Sequence, residues 1–155
     1  SSGLKVGVTR KTQVPTRWID QGAHQTIPIV EVPNRYLAGI TEVALKEYYN
    51  DKTNWRRMLT QDPSQMDLVA ERDRALQWLP QEVNPYIKTT ENDATLFLQF
   101  PLEQPPAKVK SVNLTKSKMH SGKLVGIKGQ YLVFTDQSVM NVRSHEGVSV
   151  RMEVT

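Results

Sequence analysis

Four charged side chains in the first fifty residues have the chemistry of a site that handles phosphodiesters. Arg17 carries a planar guanidinium that matches the geometry of a phosphate. Glu42 carries a carboxylate, and one carboxylate with water molecules is a common way to hold Mg²⁺, because this ion keeps most of its hydration shell. We therefore predict a catalytic site in which Arg17 binds the phosphate and Glu42 binds the metal. Lys5 and Arg10 would help to stabilise the extra negative charge of a pentacovalent transition state.

These residues also have an ordinary structural interpretation. Glu42 and Lys46 have the spacing of an ion pair on a helix surface. Arg17 can pair with Asp20 or Glu47. The catalytic interpretation of Arg17 and Glu42 therefore depends mainly on their shared order along the chain.

A second group of candidate binding residues follows the glycine-rich segment that begins at Gly126. Positive, amide and aromatic side chains in a β context can grip phosphates and stack on bases, as small β-barrels do with single strands. The group consists of Lys128, Gln130, Tyr131, Asn141, Arg143 and His145. The alternative is a glycine turn followed by a half-buried tyrosine.

Helices and strands must position these side chains. A short helix is predicted to begin at Pro15 and to end before Gly22. Asn34 is predicted to cap a second helix, and further helices are expected over residues 54–59 and 65–79. The apolar stripe of the Asn34-capped helix, which is predicted to face inward, consists of Tyr36, Leu37, Ile40, Val43, Ala44 and Tyr48.

Alternating apolar residues predict strands in both halves of the chain. The predicted strands cover residues 4–9, 27–32, 94–100, 108–114, 123–127, 131–134, 139–142 and 148–154. The pattern indicates an α+β fold. Residues 1–80 are expected to form a small sheet flanked by helices, and residues 81–155 a β-rich domain with a sheet or partial barrel.

The distribution of charge indicates an anionic polymer as the partner. The chain has 155 residues and a net charge of +4. Residues 1–30 carry +3, residues 31–105 carry −4 and residues 106–155 carry +5. Basic ends around an acidic middle are typical of contact with nucleic acid, although surface solubility is the alternative. Cysteine is absent, the three histidines lack the spacing of a zinc site, and no apolar run is long enough to span a membrane. We expect a cytoplasmic protein.

Five segments in the first part of the chain occur in a meaningful order. They are Lys5-Val6-Gly7-Val8-Thr9, Arg17-Trp18, Ile29-Val30-Glu31-Val32-Pro33, Glu42 and Asn54. This order resembles the GIY-YIG nuclease superfamily over residues 4–55. The resemblance implies nucleic-acid contact by Arg10, Arg17 and Trp18, with Glu42 as the Mg²⁺ ligand. Val6-Gly7 matches the end of the second signature.

The chain departs from the superfamily at two places. Lys5 stands where a signature tyrosine is implicated in activating the attacking water, and the first signature strand does not precede Ser1-Ser2-Gly3. We expect the edge of residues 4–9 to be exposed without its neighbour, which predicts self-association.

A second resemblance covers most of the chain. Its segments are Lys5-Val6-Gly7-Val8-Thr9-Arg10, Arg17-Trp18-Ile19-Asp20-Gln21-Gly22-Ala23, Asn54-Trp55-Arg56 and Gly126-Ile127-Lys128-Gly129-Gln130-Tyr131-Leu132. They are similar to a prokaryotic family of unknown function whose members carry a Cys-rich, zinc-binding segment before this region. That segment does not occur in this sequence.

Three functional hypotheses remain open from the sequence. The first is a nucleic-acid-binding protein that cleaves phosphodiesters with Mg²⁺. The second is a catalytically inactive nucleic-acid binder on the same fold, which the replacement of the signature tyrosine by Lys5 favours. The third is a protein-interaction scaffold whose basic ends serve solubility.

Overall fold

The computed structural model describes residues 3–50, 52–61, 66–89 and 95–155. The chain forms two compact units, each assembled from separate stretches of sequence. Unit 1 comprises Ser1–Ile19, Ala23–Asn54 and Pro63–Gln99, and unit 2 comprises Asp20–Gly22, Trp55–Asp62 and Phe100–Thr155. These units take the place of the division after residue 80 that we expected. The predicted α+β class is confirmed.

The described residues contain five α-helices and three 3₁₀-helices. The α-helices are α1 (Thr16–Asp20), α2 (Arg35–Lys46), α3 (Trp55–Thr60), α4 (Leu68–Leu76) and α5 (Leu114–Ser117). The 3₁₀-helices cover Lys11–Gln13, Gln81–Tyr86 and Arg143–His145. None of the helices among the described residues is long and apolar enough to cross a membrane.

Side-chain caps explain where the longer helices begin. The Asn34 side chain accepts a hydrogen bond of 2.9 Å from the backbone N–H of Leu37 at the start of α2, as predicted. Asp67 accepts one of 3.0 Å from the N–H of Ala70 at the start of α4. Helix α4 is therefore shorter than the predicted range 65–79.

The predicted inward face of α2 is wrong. The buried positions are Thr41 and Leu45, whereas Tyr36 and Val43 are 70% and 66% exposed. The Thr41 hydroxyl donates a 2.7 Å hydrogen bond to the Leu37 carbonyl, so this polar group is satisfied inside the fold. A pattern of apolar residues cannot register such a position, and the helix is rotated accordingly.

Unit 1 contains little sheet, which contradicts the prediction for residues 1–80. Its one ladder among the described residues pairs β1 (Gln25–Thr26) with β2 (Leu96–Phe97) in antiparallel register. The predicted strands over residues 4–9 and 27–32 form single bridges instead, Lys5 with Asn50 and Val30 with Ile87. Proline within the second of these segments removes a backbone donor that a ladder needs, and the first finds one pairing position.

Unit 2 is built around an open four-stranded sheet. The strands are β3 (Lys110–Val112), β4 (Leu124–Lys128), β5 (Tyr131–Phe134) and β6 (Ser138–Asn141). Their order is β3-β6-β5-β4, with β3 parallel to β6 and the other pairs antiparallel. The four predicted strands of this region are confirmed with bounds shifted by one or two residues, and the structure has a sheet rather than a closed barrel. The strand predicted over residues 148–154 does not form.

One buried apolar cluster joins helix α3 to this sheet inside unit 2. Leu59 from α3, Val133 from β5 and Val139 from β6 are fully buried. Partly buried side chains surround them, namely Trp55, Met58, Leu102, Val109 and Tyr131. Burial of this apolar surface holds the hairpin of β4 and β5 in a fixed position.

Candidate functional site

The predicted catalytic residues lie in unit 1 on separate elements. Arg17 lies on α1 and is half-buried, and Glu42 lies on α2 with 32% of its side chain exposed. No hydrogen bond or ion pair among the described residues joins Arg17 to Glu42. The Glu42 carboxylate instead lies 3.7 Å from the ammonium of Lys46. Convergence of Arg17 and Glu42 on one cleft stays a prediction.

The remaining predicted residues of unit 1 have mixed environments. Lys5 is exposed, and its ammonium donates a 3.2 Å hydrogen bond to the Thr53 hydroxyl. Arg10 is exposed immediately before the 3₁₀-helix Lys11–Gln13, and Trp18 is half-buried on α1. These positions add positive charge to the surface of unit 1, without a shared hydrogen-bonded arrangement among the described residues.

The residues around Glu42 fit a Mg²⁺ ion poorly. In the part of the chain that the structure describes, no group of three His, Cys, Asp or Glu side chains could hold a metal. Glu42 already has the Lys46 ammonium beside it, and a neighbouring positive charge opposes the binding of a divalent cation. The arrangement agrees with the surface ion pair that the spacing of these two residues offers.

Unit 2 contains an open cleft of about 360 Å³, hereafter the unit 2 cleft. It is lined by Asp20, Ile127, Gly129, Gln130, Leu132, Val142 and Arg143. The turn between β4 and β5 forms one wall, since Lys128 pairs with Tyr131 across a two-residue loop. The backbone N–H of Val142 donates a 2.9 Å hydrogen bond to the Gln130 carbonyl, which ties this loop to the end of β6.

Glycine is required in the wall of this cleft. Gly129 has φ +58°, a conformation that L side chains rarely adopt. A Cβ at Gly129 would also lie 3.0 Å from the Asp20 carbonyl oxygen and 3.1 Å from the Gly22 nitrogen. The close approach of two backbone segments explains why a glycine stands at this position.

The polar side chains of the unit 2 cleft have unused hydrogen-bonding capacity. Within the described residues, the Asp20 carboxylate, the Gln130 amide and the Arg143 guanidinium form no side-chain hydrogen bond or ion pair. Asp20 and Arg143 have opposite charges and line the same cleft without pairing. The cleft therefore presents an acceptor, a donor and an amide that offers both.

Most of the other residues predicted to form the C-terminal patch have structural roles. Tyr131 stacks on Trp55 with ring centroids 5.4 Å apart, so one face of its ring is covered. Lys128 is 3% exposed and is not available as a surface ligand for phosphate. The His145 Nε2 accepts a 2.9 Å hydrogen bond from the Leu114 N–H, and Asn141 Oδ1 accepts one from the Ser144 N–H.

Gln130 and Arg143 are thus the predicted residues that the unit 2 cleft brings together. Asp20 was not among the predicted site residues, because its proximity to Arg17 in sequence offered a simple structural partner. The signal that could have found it is the segment Asp20-Gln21-Gly22, which ends in a glycine that has φ +68°.

The comparison with known families agrees with the resemblance over most of the chain. A family model described as "Protein of unknown function (DUF2797)" matches residues 1–150. The chain belongs to the DUF2797 family. No curated protein and no solved structure matches it.

Three of the sequence segments that resembled a family of unknown function meet in unit 2 of this DUF2797 protein. Asp20–Gly22 packs on the turn at Gly129, and a Cβ at Gly22 would lie 2.6 Å from the Met58 sulfur. Trp55 stacks on Tyr131, and the Arg56 guanidinium lies 4.3 Å from the centre of the Trp55 ring. The shared motifs of the sequence are therefore concentrated around the cleft and its supporting aromatic pair.

Proposed function

We propose that this DUF2797 protein binds nucleic acid through unit 2. The observation that carries the proposal is the segregation of charge between the units. Unit 2 contains ten Lys and Arg residues and six Asp and Glu residues, which gives a net charge of +4. Unit 1 contains ten of each class and is neutral. The net positive charge of the whole chain is therefore a property of unit 2.

The basic side chains of unit 2 are positioned to meet a polyanion. Nine of the ten are exposed, and Lys128 is the exception. Contacts between Lys or Arg and phosphates supply the sequence-independent part of nucleic-acid affinity and release condensed counterions. An exposed surface of this kind on a small open sheet favours nucleic acid over the protein-interaction alternative.

The test is a binding titration at several salt concentrations. Fluorescence anisotropy of labelled mixed-sequence DNA and RNA, single and double stranded, should show affinity that falls steeply as salt rises. Replacing Lys116 and Lys123 by glutamine should lower the salt slope by about 1 for each lysine that contacts a phosphate. The matched control replaces Arg35 and Lys52, two exposed cations of unit 1, and should leave the slope unchanged.

Two results would overturn the proposal. Absence of salt-dependent binding to every nucleic acid would support the scaffold alternative. An equal loss of affinity in the two double variants would contradict the assignment to unit 2.

Of the two nucleic-acid hypotheses, we propose the one without cleavage. The resemblance of residues 4–55 to GIY-YIG nucleases supports contact with phosphodiesters, but Lys5 replaces the signature tyrosine and Lys46 lies beside Glu42. Incubation with supercoiled plasmid and Mg²⁺ should therefore leave the plasmid intact. Nicking that is lost in both Glu42→Ala and Arg17→Ala would contradict this and would establish a metal-dependent nuclease.

A further inference from the structure

We infer that the unit 2 cleft accepts one unstacked nucleobase of a single strand, and that Asp20 selects bases carrying an exocyclic amino group. The inference rests on the proposed binding of nucleic acid by unit 2. It specifies the form of the strand and the base that the cleft recognises.

The dimensions of the cleft favour a single base. A volume of about 360 Å³ lies at the lower end of sites that hold small molecules, about 300–1,000 Å³. Bases of a duplex are stacked and paired, whereas bases of single strands can be splayed out into a pocket. A concave site of this size beside a surface of exposed cations therefore fits a strand whose phosphates follow the surface while one base enters the cleft.

The apolar part of the lining suits the flat face of a base. Ile127, Leu132 and Val142 contribute side chains to the cleft, and Ile127 and Val142 are 40% and 53% exposed. Covering exposed apolar surface is favourable in water. This contact does not distinguish one base from another, so selectivity must come from the polar groups.

Asp20 gives the cleft a preference among bases. An ionised carboxylate only accepts hydrogen bonds, and an amino group such as cytosine N4 is a matching donor. Uracil presents a carbonyl oxygen where cytosine presents that amino group, so the carboxylate would face another acceptor. Arg143, which only donates, is suited to the phosphate of the same nucleotide.

The sharpest test compares two RNA homopolymers on the unmodified protein. Oligo-C and oligo-U of about 12 nucleotides, at neutral pH and one salt concentration, differ in the group that Asp20 is inferred to read. We expect oligo-C to bind roughly tenfold more tightly than oligo-U. Equal affinity, or tighter binding of oligo-U, would overturn the inference while leaving the proposed function in place.

Variants assign the preference to Asp20. Asp20→Asn adds a donor without changing side-chain size, so it should abolish most of the difference between oligo-C and oligo-U. Glu103→Gln removes an exposed carboxylate of unit 2 outside the cleft and should retain the difference. Arg143→Gln should weaken both RNAs alike and lower the salt slope by about 1.

The outcomes separate the two proposals. Failure of the unmodified protein to bind any nucleic acid would refute the proposed function and the inference together. Salt-dependent binding with a preference for oligo-C that persists in Asp20→Asn would refute only the role of Asp20. The homopolymer comparison needs no variant, so it decides the base preference even where a substitution impairs folding.

Discussion

Units 1 and 2 are similar in size but are stabilised in different ways. Unit 2 places its strands in a four-stranded ladder and buries the cluster of Leu59, Val133 and Val139 against it. Unit 1 has a two-residue ladder among its described residues and relies on capped helices and on ion pairs such as Lys88 with Glu31. The positive charge follows the more regular unit. A rigid sheet with exposed cations can hold a fixed pattern of charge, which recognition of a polymer requires.

The largest expected effect comes from removing apolar volume where the comparison places it. Leu59→Ala should lower the free energy of unfolding by about 2–5 kcal/mol, because side chains fixed on two strands cannot collapse into the cavity. Leu45→Ala on α2 also removes a fully buried leucine, but from unit 1. We expect a smaller loss there, near the lower end of the range. Denaturant unfolding measures both values.

Equal losses in Leu59→Ala and Leu45→Ala would break this part of the comparison. The surroundings of Leu45 would then be as resistant to collapse as the cluster of unit 2. Val43→Ala serves as a control, since Val43 lies on α2 and is 66% exposed. A change within about 0.5 kcal/mol is expected for such a surface position.

The sheet of unit 2 was predictable from the sequence because its main pairings are local. Strands β4 and β5 are adjacent in the chain, alternate in polarity and are joined by a turn that contains Gly129. The same alternation over residues 4–9 and 27–32 predicted strands that do not form. A strand requires a partner as well as a pattern, and periodicity within one segment carries no information about the partner.

The candidate site was less predictable for a related reason. Gln130 and Arg143 were recognised because each lies beside a strand that the pattern identifies. Asp20 meets the turn at Gly129 through a contact between segments far apart in sequence. Burial of Lys128 and stacking of Tyr131 on Trp55 are likewise tertiary, so two residues with suitable chemistry for nucleic acid proved to be occupied by the fold.

Glycine substitutions provide a second test with opposite signs in the two units. A Cβ at Gly126 in β4 would lie 2.5 Å from Leu102 Cδ1 and 2.7 Å from the Pro101 carbonyl oxygen. Because backbone must move, Gly126→Ala should destabilise the protein by about 1–3 kcal/mol. Gly39 lies within α2 with nothing within 4 Å of such a Cβ. Gly39→Ala should therefore stabilise by about 0.5–1 kcal/mol.

Thermal and denaturant unfolding of the two glycine variants would show the contrast directly. Stabilisation by Gly126→Ala would mean that the segment at Leu102 does not pack on β4 as described. Destabilisation by Gly39→Ala would mean that the exposed side of α2 is covered by something that leaves no room for a methyl group.

The smallest effects are expected from acidic groups whose pKa values are lowered by different means. Hydrogen bonds from Lys11, and then from Lys88, lower the pKa of Glu31 in unit 1. In unit 2, hydrogen bonds from the Ser138 hydroxyl and backbone N–H lower the pKa of Asp136. A depressed folded-state pKa gives stability above the unfolded-state pKa that is lost as pH falls through the folded-state value. Both groups should therefore weaken the fold on acidification, below about pH 4.

Salt should separate the two carboxylates, because one is stabilised by ammonium groups and the other mainly by a neutral hydroxyl and amide. In an NMR titration of the side-chain carboxyl carbons, high salt should raise the pKa of Glu31 toward its ordinary value and move that of Asp136 much less, since screening acts on exposed charge pairs. Ser138→Ala removes the hydroxyl donor and should raise the pKa of Asp136 at every salt concentration, whereas it should not move that of Glu31. An equal response of the two carboxylates to salt would show that ionic contacts dominate in both units, and the distinction between an ion-paired unit 1 and a hydrogen-bonded unit 2 would fail at these positions.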